Sequence, residues 1–344
     1  MCGIAGFAGR GDAGILERMT TAIQHRGPDA GTAWVDASVG VFLGHRRLAI
    51  VDLSGGGQPM WTADGALGIV FNGEIYNHIE LREELKARGC VFVTDHSDTE
   101  VLLHAYREWG DSFVNRLNGM WAFVIYDRAT RRLFGSRDRF AKKPLYYFHE
   151  GETFAFASEL PALLQHPGCP RNLSTLSLKK YFANCYIPAP RSIYERVWKL
   201  PGGCSLSFDL ASRELKIWRY WEFVLEPEDA GGRNSDDESA KVREWSEQIA
   251  AVLEAATKRR LMSDVPLGIF LSGGIDSSAI AALAAKHVPA GELNTFSIGF
   301  DEASFDESRY AKLVADKLGT RHHHEILGLD QTTAIVPEIV SKLD

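Results

Sequence analysis

The stretch that most constrains the fold lies late in the chain. Val265-Pro266-Leu267-Gly268-Ile269-Phe270-Leu271 is an apolar run of strand length, Ser272-Gly273-Gly274-Ile275-Asp276-Ser277-Ser278 follows directly, and Ala279–Lys286 consists mainly of small helix formers. A strand that enters a glycine-rich turn and leaves as a helix aims backbone N–H groups and the positive end of a helix dipole at one point, which suits an anion such as phosphate. The glycines let the backbone approach that anion closely, and the serine hydroxyls add donors. The Gly-Lys-Ser/Thr of a Walker A loop is absent. Charge neutralisation then falls to a metal, for which Asp276 is the natural holder. Leu293–Phe300 reads as the next strand, Glu307–Leu318 as a helix and Arg321–Leu327 as a strand. This β-α-β-α-β order makes a parallel sheet with right-handed crossovers. Ligands of such sheets bind beyond the carboxyl ends of the strands, where the Ser272 loop and Ser297-Ile298-Gly299 fall. His322-His323-His324 brings a metal to mind. Alternate strand residues point to opposite faces, however, so only His322 and His324 share a side, and the metal reading is set aside.

A length of 344 residues fits about two domains. The composition, 45% apolar and 24% charged, is that of an ordinary globular protein. A net charge of -7 argues against a nucleic-acid-binding surface. The five cysteines are an odd number without a Cys-x-x-Cys pair, so neither a disulfide framework nor a zinc site is indicated. No apolar run reaches the ~20 residues of a membrane span, and the start of the chain lacks the pattern of a secretory signal. The expectation is a cytoplasmic protein with no membrane partner. Leu225–Glu238 is acidic, contains Gly231-Gly232 and shows no apolar periodicity, so it reads as linker. Apolar residues at helical spacing from Ser239 to Met262 follow it.

Before the linker, strands and helices mix without strict alternation, the mark of a layered α+β domain. Residues 3–8 read as a buried strand and 14–24 as a helix. Cys2 precedes that strand. Removal of Met1 would give Cys2 a thiol and a free α-amine on one carbon, with ordinary pKa values of about 8.5 and 7.7–8.0. Such an amine can serve the thiol as general base. His25-Arg26-Gly27-Pro28-Asp29 forces an irregular loop, and its His and Arg suit a loop facing a polar ligand. Arg47, entering Leu48-Ala49-Ile50-Val51, is the better of two adjacent arginines to grip a carboxylate bidentately; Arg46 reads as a solvated edge residue. The strand Leu67–Phe71 is expected to end at Asn72-Gly73-Glu74. Asn-Gly is commonly just a turn, yet with Glu74 it offers an amide, an unobstructed N–H and a carboxylate, the parts of an oxyanion hole and an ammonium holder. Ser97-Asp98-Thr99-Glu100 opens a helix, with Ser97 or Asp98 as a plain N-cap.

Together Cys2-Gly3-Ile4-Ala5-Gly6, His25–Asp29, Arg47–Asp52, Gln58-Pro59-Met60, Asn72–Asn77 and Ser97–Glu100 resemble the glutaminase domain of class II glutamine amidotransferases. Coupled to Leu271–Ser278, the whole chain resembles the glutamine-hydrolysing asparagine synthetase family. The resemblance implies an N-terminal-nucleophile αββα sandwich over residues 2–215, a linker over 216–238, and the first part of an α/β adenine-nucleotide α-hydrolase-like synthetase domain over 239–344, a domain that runs further in the family. It implies Cys2 as nucleophile and Asn72 with the Gly73 N–H as oxyanion hole. It also implies Arg47 on the glutamine α-carboxylate, and Glu74 with Asp98 on its α-ammonium. For ATP it implies Leu271 and Ile298 beside adenine, and Ser272, Gly273, Gly274, Asp276 and Ser277 around pyrophosphate and Mg²⁺, with Asp276 as metal holder. Aspartate would be activated as β-aspartyl-AMP and attacked by ammonia reaching it through a dry passage, and a homodimer is among the assemblies it allows. The sequence departs from the family at Ala141 and Lys142, where Gly and an apolar residue are common. Two rivals stand beside this reading: the same machinery acting on another carboxylate, such as a cell-surface polymer precursor or a β-lactam ring closure, and a non-catalytic nucleotide-binding module. Phosphoribosyl or sugar-phosphate partner domains do not fit the Ser272–Ser278 loop.

Overall fold

The computed structural model describes residues 2–226, 235–302 and 304–342, without the side chains of 235–238 and 341–342. These residues divide into two compact units between Val224 and Leu225.

The first unit runs β1 (Gly3–Ala8), α1 (Ala13–Ala22), β2 (Ala30–Asp36), β3 (Val41–Arg47), β4 (Met60–Trp61), β5 (Leu67–Ile75), α2 (His78–Ala87), α3 (Asp98–Trp109), β6 (Gly119–Asp127), β7 (Arg132–Arg137), β8 (Tyr146–Glu150), β9 (Thr153–Ala157), α4 (Leu160–Leu163), α5 (Thr175–Asn184), β10 (Val197–Lys199), β11 (Cys204–Asp209) and β12 (Leu215–Arg219). Two six-stranded sheets result, ordered β10-β8-β9-β1-β3-β2 and β12-β11-β7-β6-β5-β4. Strand alternation sorts the side chains into layers. Ile4 and Ala8 of β1 meet Val70, Val124 and Leu206 between the sheets. Ala5 and Phe7 point outward onto Ile15, Leu16 and Met19 of α1. On the second sheet Ile69, Phe71 and Ile75 face outward onto Leu81 and Leu85 of α2 and Val101 and Leu102 of α3. The unit is therefore an αββα sandwich, with both faces of both sheets apolar because both are covered.

The sequence boundaries shift in three places. The linker expected over 216–238 loses both ends: residues 215–219 form β12, paired with β11 and packing Trp218 against Phe134 at 6.0 Å, and residues 235–238 belong to a helix. Residues 227–234 lie outside the described residues. The strand expected to stop at Phe71 continues to Ile75, because Asn72, Gly73 and Glu74 pair with Ala122, Trp121 and Met120 of β6. Cross-strand pairing overrides the local turn preference of Asn-Gly. In the second unit the run from Val265 yields only a three-residue strand, since Pro266 has no N–H for a ladder and Ser263 binds Val265 locally.

That second unit contains α6 (Ser235–Arg260), β13 (Gly268–Phe270), α7 (Ile275–Ala285), β14 (Asn294–Phe300), α8 (Ser308–Leu318), β15 (Arg321–Leu327) and α9 (Leu329–Lys342). Its strands pair in parallel in the order β13-β14-β15, as the β-α-β-α-β pattern requires. Leu271, Ala281, Ala311 and Ala315 form its small core. Among the described residues no helix is long and apolar enough to cross a membrane.

Candidate active site

Cys2 shares the parity of Ile4 and Ala8, and Asn72 and Glu74 share that of Val70, so all three aim between the sheets at one end of the sandwich. There Cys2, Arg47, Asn72, Gly73, Glu74 and Asp98 line a single cavity of about 280 Å³. These are the six residues singled out from the sequence for this unit.

The nucleophile position is fixed from several sides. The Leu48 N–H donates to Cys2 Sγ at 3.4 Å, and Arg26 Nε donates to the Cys2 carbonyl at 3.0 Å. Arg26 Nη1 in turn meets Glu159 Oε1 at 2.5 Å, and His25 Nε2 lies 2.9 Å from Glu159 Oε2. The His-Arg pair thus faces Glu159 and the backbone of Cys2, and neither residue lines the cavity. Arg46, expected as a solvated edge residue, donates to the Thr20 carbonyl at 3.1 Å. Burial pushes the Cys2 thiol up, while the Leu48 N–H and the charges of Arg47 and Lys143 pull it back.

The free edge of β5 supplies the opposite wall. Strand β4 starts at Met60, and its ladder reaches no further along β5 than Ile69. Beyond it, Phe71 N donates to Gln58 Oε1 at 2.6 Å and Ile75 N to Asp98 Oδ2 at 3.0 Å. Ladder alternation places the Gly73 N–H on that same edge, between the two. A Cβ at Gly73 would strike the Met120 carbonyl, so no other residue fits. Asn72 is 1% exposed, and its Nδ2 is a buried donor without a hydrogen-bond partner among the described residues. Its amide faces a cavity rather than a partner.

Asp98 does not cap its helix. Ser97 is the N-cap, without a side-chain cap bond, and the Asp98 carboxylate reaches back to β5. Burial pushes the Asp98 carboxyl up, opposed by the Ile75 N–H and by His78. Arg47 is pinned by the chain that follows it, donating to the carbonyls of Leu53 at 2.9 Å and Asp52 at 2.6 Å.

Three residues of this region were given no role in the sequence reading. Lys143 lines the cavity and is buried, which lowers its pKa. The Asp138 carboxylate binds the N–H groups of Phe140 (3.1 Å), Lys142 (3.0 Å) and Lys143 (3.0 Å), while Arg137 Nε donates to the Lys143 carbonyl at 2.6 Å. Gln58 lines the cavity as well, and His45 is buried just behind it. The departures at Ala141 and Lys142 become intelligible. Ala141 has φ +55°, where glycine is at ease, and Lys142 is exposed.

Comparison with known proteins gives the family. Residues 1–221 match the glutamine amidotransferase domain family. The chain belongs to the glutamine amidotransferase family. Residues 248–344 of this amidotransferase match the asparagine synthase family. It is 38% identical over 348 residues to a putative glutamine-hydrolysing asparagine synthetase of Methanocaldococcus jannaschii, covering 94% of this chain and 64% of that protein. Similarity extends to asparagine synthetase 3 of Bacillus subtilis, 37% identical over 344 residues, covering 94% of this chain and 54% of the relative. A putative asparagine synthetase of Mycobacterium bovis is 38% identical over 355 residues, covering 99% and 53%. The chain thus spans between about half and two thirds of the length of these relatives.

The amidotransferase's second unit holds another cavity, of about 310 Å³, lined by Leu271, Ser272, Ser297, Ile298 and apolar neighbours that include Phe270 and Phe296. Gly273, Gly274, Asp276 and Ser277 sit in the adjoining loop and the first turn of α7, outside the lining. The Ser272 and Ser277 hydroxyls bond each other at 3.0 Å, and Ser272 Oγ accepts from Gly274 N at 3.3 Å. Gly273 has φ +82°, and a Cβ there would lie 2.5 Å from the Tyr310 backbone. Gly274 is the N-cap of α7 and makes no side-chain cap bond to the first turn. Asp276, exposed in that turn, fits the habit of Mg²⁺ to take one carboxylate together with substrate phosphates. Among the described residues no three His, Cys, Asp or Glu form a metal-holding group. His322 instead bonds Thr295 at 3.0 Å and Ser297 at 3.2 Å.

Proposed function

We propose that the first unit hydrolyses glutamine at Cys2. Glutamine lies with its α-carboxylate on Arg47 and its α-ammonium between Glu74 and Asp98, which leaves the carboxamide carbon facing Cys2 Sγ. With Met1 removed, the Cys2 α-amine takes the thiol proton and the thiolate attacks. The tetrahedral oxyanion is held by Asn72 Nδ2 and the Gly73 N–H, donors already in place before charge develops. Collapse breaks the C–N bond, the α-amine returns its proton to the departing nitrogen, and ammonia leaves. Water then cleaves the thioester to give glutamate. The single observation that carries this reading is the unpartnered, buried Asn72 Nδ2 in the cavity that also contains Cys2. Glutamate release from glutamine tests it: Cys2→Ala abolishes release, and release by that variant would refute the nucleophile assignment. An intact mass that retains Met1 would refute the α-amine mechanism.

For the whole protein we propose asparagine synthesis in the cytoplasm. ATP enters the second unit with adenine between Leu271 and Ile298 and its phosphates at Ser272, Gly273, Gly274 and Ser277. Mg²⁺ bound at Asp276 would neutralise phosphate charge. Aspartate is activated as β-aspartyl-AMP with loss of pyrophosphate, and ammonia displaces AMP. The names of the relatives and the match over residues 248–344 support aspartate as acceptor. The full-length gene product, given glutamine, Mg-ATP and candidate carboxylates, should form AMP only with aspartate. AMP formation driven by another carboxylate would transfer the assignment to that acceptor.

A further inference from the structure

The two halves of the glutaminase site sit on different sheets. Cys2 leads into β1 of the first sheet, and Asn72 and Gly73 lie on β5 of the second. The layer between the sheets is largely apolar, and apolar burial is non-directional, so polar contacts across it add a directional constraint. Two polar contacts beside the site join the nucleophile sheet to the oxyanion strand and its support: Thr32 Oγ1 donates to the Gln58 carbonyl, and His45 reaches β5 itself. His45 on β3 stands opposite Ile4 of β1, two residues from Cys2. Its Nε2 lies 3.1 Å from the carbonyl oxygen of Phe71 on β5, the residue before Asn72. The carbonyl can only accept, so Nε2 carries the proton and donates. His45 is 1% exposed, and burial pushes its pKa down to about 4, so the ring is neutral under ordinary assay conditions.

The other backbone group of Phe71 is held as well. The register Met60↔Ile69, continued by two residues, puts Gln58 opposite Phe71, where Gln58 Oε1 takes the Phe71 N–H at 2.6 Å. Gln58 precedes the first residue of β4, so a side chain holds what a neighbouring strand would otherwise hold. Gln58 Nε2 reaches Thr99 Oγ1 at 3.5 Å, next to Asp98.

We infer that His45, with Gln58, is a positioning residue for glutamine hydrolysis: it ties the nucleophile sheet to the oxyanion strand and sets the reach from Cys2 Sγ to Asn72 Nδ2 and the Gly73 N–H. This rests on the glutaminase reading above. The donors that receive the oxyanion act only in the transition state, whereas Arg47, Glu74 and Asp98 hold the substrate's other end. Arg47 on β3 and Glu74 and Asp98 at β5 span the same seam, but charge pairs tolerate a small shift better than an oxyanion hole does, so loosening the tie lowers kcat far more than it changes KM.

The test compares His45→Leu and His45→Gln in the full chain, reading kcat and KM for glutamate release and the rate of Cys2 alkylation by iodoacetamide. The alkylation needs the thiol but no oxyanion hole. His45→Leu should lose about 10–100-fold in kcat, the scale of a small misplacement of reacting groups. KM and the alkylation rate should stay within about two-fold, and His45→Gln, which keeps an N–H donor, should recover most of the kcat. Retention of wild-type kcat by His45→Leu overturns the inference. So does a loss expressed in KM, or a loss that His45→Gln fails to recover. If His45→Leu does not fold, Gln58→Met should show the same loss confined to kcat, and wild-type kcat in that variant overturns the inference too. A wild-type chain that releases no glutamate brings down the glutaminase reading and this inference with it. An active wild type with an equally active His45→Leu removes the inference alone.

Discussion

Asn72 is where function and stability should pull in opposite directions. Its Nδ2 is buried without a hydrogen-bond partner among the described residues, and an unmade hydrogen bond of this kind costs about 1–3 kcal/mol. Asn72→Leu removes the donor at similar volume, and its inward-facing neighbours on the same sheet, among them Val70 and Ala122, are already apolar. The folded state should be as stable as wild type or more so, by up to that amount. For a domain of this size each kcal/mol shifts Tm by about 2–4 °C. Glutaminase kcat should fall by about 10²–10³, the loss typical when one oxyanion donor is removed, equivalent to ~2.7–4 kcal/mol of transition-state stabilisation. Calorimetry of the first unit's transition and a glutamate-release assay on the same preparation read both numbers. A lowered Tm with activity retained would refute the reasoning, since it would make Asn72 a structural residue with a partner.

Three further outcomes follow from the same geometry. Arg26→Met leaves Glu159 buried with only His25 beside it and frees the Cys2 carbonyl; breaking such a buried pair should cost about 3–5 kcal/mol in denaturant unfolding, and a loss under 1 kcal/mol would contradict it. Ala141→Gly relieves a left-handed residue at φ +55°, so the unfolding midpoint should rise by the equivalent of about 0.5–1 kcal/mol with activity unchanged. Burial holds the Asp98 carboxyl above the usual carboxylate range. As pH falls through that raised value Asp98 takes up a proton and can no longer pair with an ammonium, so KM for glutamine should climb on the acid side. Asp98→Asn should have a high KM that lacks this rise, and an unchanged KM would remove Asp98 from the substrate site.

The sequence made the chemistry easier to read than the geometry. Cys2, Arg47, Asn72, Gly73, Glu74 and Asp98 stood out because reactive or charged groups sat beside strands and glycines, and the fold brings all six to one cavity. The parallel order of β13, β14 and β15 followed from alternation of strand and helix. What escaped was decided by distant partners. Asn72-Gly73 reads as a turn until β6 pairs with it, and residues 216–219 read as linker until β11 does. Lys143 looked like one more basic residue, yet the Asp138 carboxylate and the Arg137 guanidinium hold the backbone that carries it to the cavity. His45 carried a usable signal, since it shares strand parity with inward-facing Leu43 and Val41. Its acceptor on β5 lies 26 residues away and could not be read from the sequence.

The central claim, that Cys2 is the nucleophile of a glutamine-shaped pocket, is tested most directly by covalent trapping. The chain is treated with a diazoketone analogue of glutamine, whose electrophilic carbon stands where the carboxamide would be, and the adduct is mapped by peptide mass. One adduct on Cys2 Sγ, in a peptide that begins at Cys2 and is protected by excess glutamine, is the predicted result. Adducts on Cys90, Cys169, Cys185 or Cys204 with Cys2 untouched, or labelling that glutamine does not slow, would contradict it.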